Sequence, residues 1–247
     1  METKIMKSIY IAWQDSDTRQ WAPVGCLSKD NSEFKFVYTR GAKQFANFMP
    51  FGRMKDLHEV YKSNELFPLF ANRVLAKSRP EYQKYLHWLG LDHQKYDVMD
   101  ELARTAGLRA TDSLELFNCP SPNENGMYEL NFFSRGLSHM HADNQERAKR
   151  LKPGERLFLM PDPQNIHDSM ALMMRTGDPI SLIGYVPRYY SAELCQLLKQ
   201  DGADNVKVSV ELVNSDAPVQ YRVLCKIEAP WPSNFTVCSQ EQFQALA

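Results

Sequence analysis

Between residues 154 and 188 the chain carries three apolar runs, at 157–160, 170–174 and 180–183, each closed by turn-forming residues. Runs this short, bounded by Pro, Gly, Asn and Asp, read as strands rather than helices. The first two flank a turn holding Asn165, His167 and Asp168; the third ends in Gly184, Tyr185, Val186, Pro187 and Arg188. A helix opened by that proline is predicted over 189–199. The layout gathers an amide, an imidazole, a carboxylate, a phenol and a guanidinium near one edge of a small sheet. That edge is where the function is expected.

The rest of the chain must supply a fold around this sheet. With 247 residues, 43% of them hydrophobic, it can bury a real core as one large domain or two small ones. A net charge of −1 excludes a polybasic, histone-like mode of nucleic-acid binding, although a cleft can be basic in a neutral protein. Five cysteines (Cys26, Cys119, Cys195, Cys225 and Cys238) are odd in number and never in C-x-x-C spacing. They point to reduced thiols in a cytoplasmic protein, without a disulfide framework or zinc site. The first 13 residues are interrupted by Lys4 and Lys7 and lack a signal-like apolar stretch, and no run is long enough to span a bilayer. No membrane association is expected.

Turn formers from Asn118 to Gly126 separate two differently patterned parts, giving expected domains at 1–117 and 128–247. The first opens with strand-like runs at 7–13, 24–28 and 34–38, separated by turns at 15–17 and 29–32, as in an antiparallel meander. Amphipathic helical segments follow at 66–75, 82–89 and 98–106, with Gly90 and Gly107 as stops. The second part begins with a strand at 128–133 and a polar helix at 142–150. After the three strands and the helix come alternating runs at 206–213 and 220–227, joined by a turn at 214–218. Trp231 and Phe235 are expected to pack back on this sheet. The fold class is α+β: an N-terminal small antiparallel sheet with helices, then a C-terminal OB-like small β-barrel with one main helix.

Residues 131–231 resemble the HIRAN domain, a module found in DNA remodelling enzymes and alone in bacterial proteins. The resemblance is carried by Phe133-Ser-Arg-Gly-Leu-Ser-His139, the 154–160 strand, Asp162-Pro-Gln-Asn-Ile-His-Asp168 and Ile183-Gly-Tyr-Val-Pro-Arg188. It implies a modified OB-like barrel that grips single-stranded DNA, in some members at the 3′-hydroxyl end. It also implies that Asn165 and Asp168 line the pocket for a terminal nucleotide. His167 stands where the family often has an aromatic, Tyr185 where some relatives carry histidine, and Arg188 where they carry lysine. The chain departs upstream: Gly136-Leu137 is followed by Ser138 and His139 in place of arginine and aromatics, with Arg135 ahead of the glycine. Met170 replaces a second asparagine. The first part is similar to the N-terminal subdomain of HipA-type toxin kinases at 24–27, 34–38, 66–72 and 102–107. The kinase core itself is missing: there is no Gly-rich phosphate loop, no H-x-D catalytic loop and no Asp-Phe-Gly.

The same residues also admit structural readings. Asn165 and Asp168 close turns through side-chain to backbone bonds as a matter of routine, and Tyr185 is equally a strand-end aromatic packing on the helix. As ligands, Asp168 would accept a hydrogen bond from a free 3′-OH and repel a phosphate. His167 would stack on a base, and Arg188 would hold a phosphate bidentately. The basic residues at 147–156 and 40–79 read first as solvated helix faces. His139, His141 and Asp143 form only a weak metal motif, which leaves a metal-dependent hydrolase as a minor alternative.

The expectation is thus a non-catalytic, cytoplasmic, bacterial nucleic-acid-binding protein without cofactor or metal. Arg135, His139, Asn165, His167, Asp168, Tyr185 and Arg188 are its contacts to single-stranded DNA or DNA 3′ ends. The alternative is a protein-interaction or regulatory module of toxin–antitoxin type. It would bind a partner or homodimerise through the 66–75 helix, with Phe67, Phe70 and Trp88 exposed.

Overall fold

The computed structural model describes residues 7–30 and 33–247. Residues 1–6 and residues 31 and 32 of the 29–32 turn lie outside the described residues. Contacts divide the chain into two compact units. One comprises the described residues up to Tyr82 with Gln94–Cys119 and Cys238–Ala247; the other comprises Gln83–His93 and Pro120–Val237. The turn-rich 118–127 segment carries one passage between them, and the chain passes again after residues 82, 93 and 237.

In the first unit, β1 (Lys7–Gln14), β2 (Trp21–Asp30) and β3 (Glu33–Tyr38) form the expected meander. In β3 the alternation is clean: Phe34, Phe36 and Tyr38 go in while Glu33 and Lys35 stay out. Two further strands extend it, β4 (Tyr61–Ser63) and β5 (Leu114–Asn118), giving the order β4-β3-β2-β1-β5. Both were invisible to periodicity, being too short to establish one. The inner face meets a core of Ile9, Ile11, Leu27, Phe36, Tyr38 and Leu102.

The 66–75 segment departs from expectation. Only α1 (Pro68–Ala71) is helical, and Phe70 is 0% exposed while Phe67 packs against the same core. A ring that large contributes more by leaving water than any surface role could. The helices α2 (Tyr82–Leu89) and α3 (Val98–Thr105) lie where predicted. Asp97 and Asp100 form a capping box on α3, and Ala106 and Gly107 end it with positive φ.

The second unit is built from β6 (Met127–Phe133), α4 (Ala142–Lys149), β7 (Arg156–Pro161), β8 (Leu172–Arg175), β9 (Leu182–Tyr185), α5 (Arg188–Asp201), β10 (Lys207–Val213) and β11 (Val223–Pro230). Every one of these elements was legible as a run or stripe in the sequence. The sheet is antiparallel, with order β6-β11-β10-β7-β8-β9. It curls into a half-barrel whose end strands approach one another beyond β6. There Arg135 N–H donates to Tyr185 O at 2.9 Å, and Tyr185 N–H returns the bond to Arg135 O at 2.8 Å. The edge of β9 is further covered by α4, where Asn144 Oδ1 accepts from Leu182 N–H at 3.1 Å. Tyr128, Trp231 and Phe235 cluster with ring centroids 5.1–6.1 Å apart, so the tail aromatics do pack back. The molecule is α+β, and its second sheet is consistent with an OB-like barrel.

One expectation from cysteine spacing is overturned. Cys119 and Cys238 form a disulfide within the first unit, their Cα atoms 6.2 Å apart, while Cys26, Cys195 and Cys225 are free. The pair lies 119 residues apart in sequence. It forms because the tail returns to the first sheet, where Leu246 N–H donates to Tyr38 O and Ala245 bridges to Thr39. The bond removes the argument from reduced thiols to a cytoplasmic setting. No helix among the described residues is long and apolar enough to cross a membrane.

Candidate nucleic-acid interface

The segment between β7 and β8 is folded by its own side chains. Asp162 N–H donates to Ala171 O at 2.9 Å and closes its base. Asn165 Oδ1 accepts from the N–H groups of His167 (2.9 Å) and Asp168 (3.1 Å), and Asp168 Oδ1 accepts from Met170 N–H at 2.9 Å. Both residues therefore close turns, each with one oxygen. Asn165 and Asp168 remain half-buried rather than sealed, and the tip residue between them, Ile166, is 90% exposed.

The turn is moored to the sheet through a residue that the sequence reading did not single out. Asp162 Oδ2 accepts the Tyr185 hydroxyl at 2.9 Å and lies 3.5 Å from the Asn165 amide nitrogen. Burial, followed by the hydrogen bond and negative charge of Asp162, raises the Tyr185 phenol above its ordinary value. The signal for Asp162 was present in the Asp-Pro step that opens the turn. Nothing local, however, could announce that its partner lies on β9.

Two glycines make this approach possible. Gly184 has φ +100°, and a Cβ there would fall 2.4 Å from Arg135 O and from Ser134 Oγ. Gly136 has φ +69°, and a Cβ there would meet the Tyr185 ring at 3.4 Å. Only glycine fits both the conformation and the space at position 184. Arg135, Asn165 and Tyr185, far apart in sequence, are thus brought to one corner of the half-barrel. Asp168 shares their turn, and Arg188 opens α5 just beyond Tyr185 with no acid in that helix's first turn.

The histidine side chains take no part in these hydrogen bonds. His139 and His167 are exposed, and among the described residues neither imidazole makes a hydrogen bond. His141 caps α4 by accepting from Asp143 N–H at 3.4 Å. It forms no converging three-ligand set with His139 and Asp143. Half of the basic residues at 40–79 are committed: Arg73 is buried against Asp112, and Arg40, Lys62 and Arg79 pair with Glu241, Glu33 and Glu81. The support anticipated for the interaction reading also falls away, since Phe70 is in the core and half-buried Trp88 donates its Nε1–H to Asp216.

A curled antiparallel half-barrel of six strands is consistent with the OB-like class of small barrels. Residues 127–231 match the HIRAN domain, a module known in DNA-binding proteins. Two solved structures are similar. The HIRAN domain of human HLTF shares 14% identity, covering 43% of this chain and 80% of that one, with a TM-score of 0.32. A protein from Lactobacillus plantarum shares 15% identity over 42% of this chain and 99% of that one, with a TM-score of 0.31. No curated protein matches the chain. The family match lies wholly in the second part and gives the HipA-like reading of the first no support.

Proposed function

We propose that the second unit binds single-stranded DNA, with a preference for strands ending in a free 3′-hydroxyl. The observation that carries this reading is the Tyr185–Asp162–Asn165 hydrogen-bond cluster, which fixes a polar turn beside an aromatic ring inside the HIRAN-matching residues. A single strand asks for an aromatic face for its bases and cations for its phosphates. Tyr185 offers the face, and Arg135 and Arg188 offer the cations. Asp168 spends Oδ1 on the turn, and its second oxygen is suited to accept from a terminal hydroxyl. A carboxylate welcomes that donor and repels a phosphate, so the selection follows from charge and hydrogen-bond polarity together.

The test is fluorescence anisotropy with paired oligonucleotides that differ only in a 3′-hydroxyl or a 3′-phosphate. Tighter binding of the hydroxyl form is expected, with the preference lost in Asp168→Ala. Equal affinity for the two ends would remove end recognition, and no binding at low salt would remove the reading altogether.

A further inference from the structure

Beyond the polar corner, the outward face of β7 and β8 carries a second group of residues suited to a nucleic-acid strand. Alternation along β7 sends Arg156, Phe158 and Met160 to one face, while Leu157 is buried on the other. On β8 the matching residues are Met173 and Arg175, with Leu172 and Met174 buried behind them. Register fixes how they meet. Met160 is opposite Met173, which is opposite Tyr185, and Phe158 is opposite Arg175. Tyr185 therefore ends one row of this face, and Phe158 with Arg175 forms the next row, about 7 Å along the strands.

Phe158 is the centre of that second row. It is 39% exposed on a sheet face. The guanidinium of Arg175 lies 5.0 Å from its ring centroid and that of Arg156 lies 5.6 Å away. Both are within cation–π range, which holds two positive charges beside one aromatic ring. Neither arginine makes an ion pair among the described residues; they donate only to carbonyls, Arg175 to Thr176 O and Arg156 to Ala203 O. The five outward residues of β7 and β8 include no carboxylate. On β11, by contrast, Lys226 pairs with Glu129 and Glu228.

We infer that this Arg156–Phe158–Arg175 face is a second subsite, which stacks a base and holds phosphates of the strand as it runs away from the Asn165–Tyr185 corner. The inference rests on the proposed single-strand reading and extends it. Two features choose a nucleic-acid strand over other occupants. The pairing of an open aromatic ring with unneutralised guanidiniums complements bases and phosphates alike, and the face continues without a break from Tyr185 through Met173 and Met160.

The experiment uses the full chain with labelled oligothymidylates of about 4 and about 12 nucleotides, spanning the range of site sizes for small barrels. Phe158→Leu should weaken the long oligomer about tenfold and leave the short one unchanged, while Phe158→Tyr restores binding. Arg156→Gln combined with Arg175→Gln should lower the slope of log affinity against log salt by about 1.4 for the long oligomer, about 0.7 for each lost phosphate contact. Thermal melts of each variant report its folding. If the long oligomer binds Phe158→Leu and the arginine pair variant with unchanged affinity and slope, the subsite is overturned while the corner reading stands. Equal weakening of short and long oligomers overturns it too, as does equal competition by an acidic polypeptide, which needs charge and no stacking. If the unaltered protein binds neither oligomer at low salt, the corner reading fails and this one falls with it.

Discussion

The two sheets of this protein use aromatic rings and cations in opposite ways. In the first, Phe36, Tyr38, Phe48 and Phe70 interlock with one another inside the core, and nearby cations such as Lys29 and Arg73 are matched to Asp97 and Asp112. In the second, Phe158 and Tyr185 sit on the outer face, and Arg156 and Arg175 gather around a ring with no acid between them. The same residue types bury one another in the first sheet and stay partly open to solvent in the second. A buried ring gains by leaving water. An open ring flanked by unneutralised charge gains only when something covers it.

Three substitutions test this contrast. The largest effect belongs to Phe70→Ala, which empties the first core and should cost about 3–5 kcal/mol in a denaturant melt. The molecules that remain folded should keep their oligonucleotide affinity; a specific loss of affinity would return a binding role to the first unit. Next comes Gly184→Ala. Its φ of +100° and the 2.4 Å approach to Arg135 O leave no room for a methyl group, so a loss of about 1–3 kcal/mol is expected from backbone strain alone. Amide exchange should show the Arg135 and Tyr185 N–H groups losing protection together. Their continued protection would mean that the half-barrel closes without this glycine.

The smallest is Tyr185→Phe, which deletes the bond to Asp162 and should cost about 1 kcal/mol. It also makes a prediction about pH. Because the folded phenol sits above its ordinary value of 10.0, the stability it contributes is whole below that pH and is lost as pH rises through the raised folded value. The phenylalanine variant should lose less stability across that alkaline window in pH-dependent melts. Parallel curves would mean that neither burial nor Asp162 raises the phenol in the folded state.

Legibility differed between the two units for a physical reason. The strands of the second were announced by short apolar runs between turn formers, and the strand and turn that hold Asn165, Asp168 and Tyr185 could be drawn from 154–188 alone. In the first, β4 and β5 escaped because a handful of residues cannot display a period. The 66–75 stripe suggested a long exposed helix, but Pro68–Ala71 is all that forms, and Phe70 turns inward. Periodicity reports that one side of a segment is apolar; it does not say what will cover that side.

What the chain determined by itself was local: where strands begin and stop, which glycines turn, and which polar residues crowd one bend. What only the folded molecule decided was pairing at a distance. That includes the order β6-β11-β10-β7-β8-β9 and the backbone bridge from Arg135 to Tyr185. It also includes the choice of Asp162 as the acceptor for Tyr185, and the Cys119–Cys238 bond made by a returning tail. Propensity and alternation act over a few neighbouring residues, whereas these contacts depend on how entire sheets curl and close, a property no short window of sequence contains.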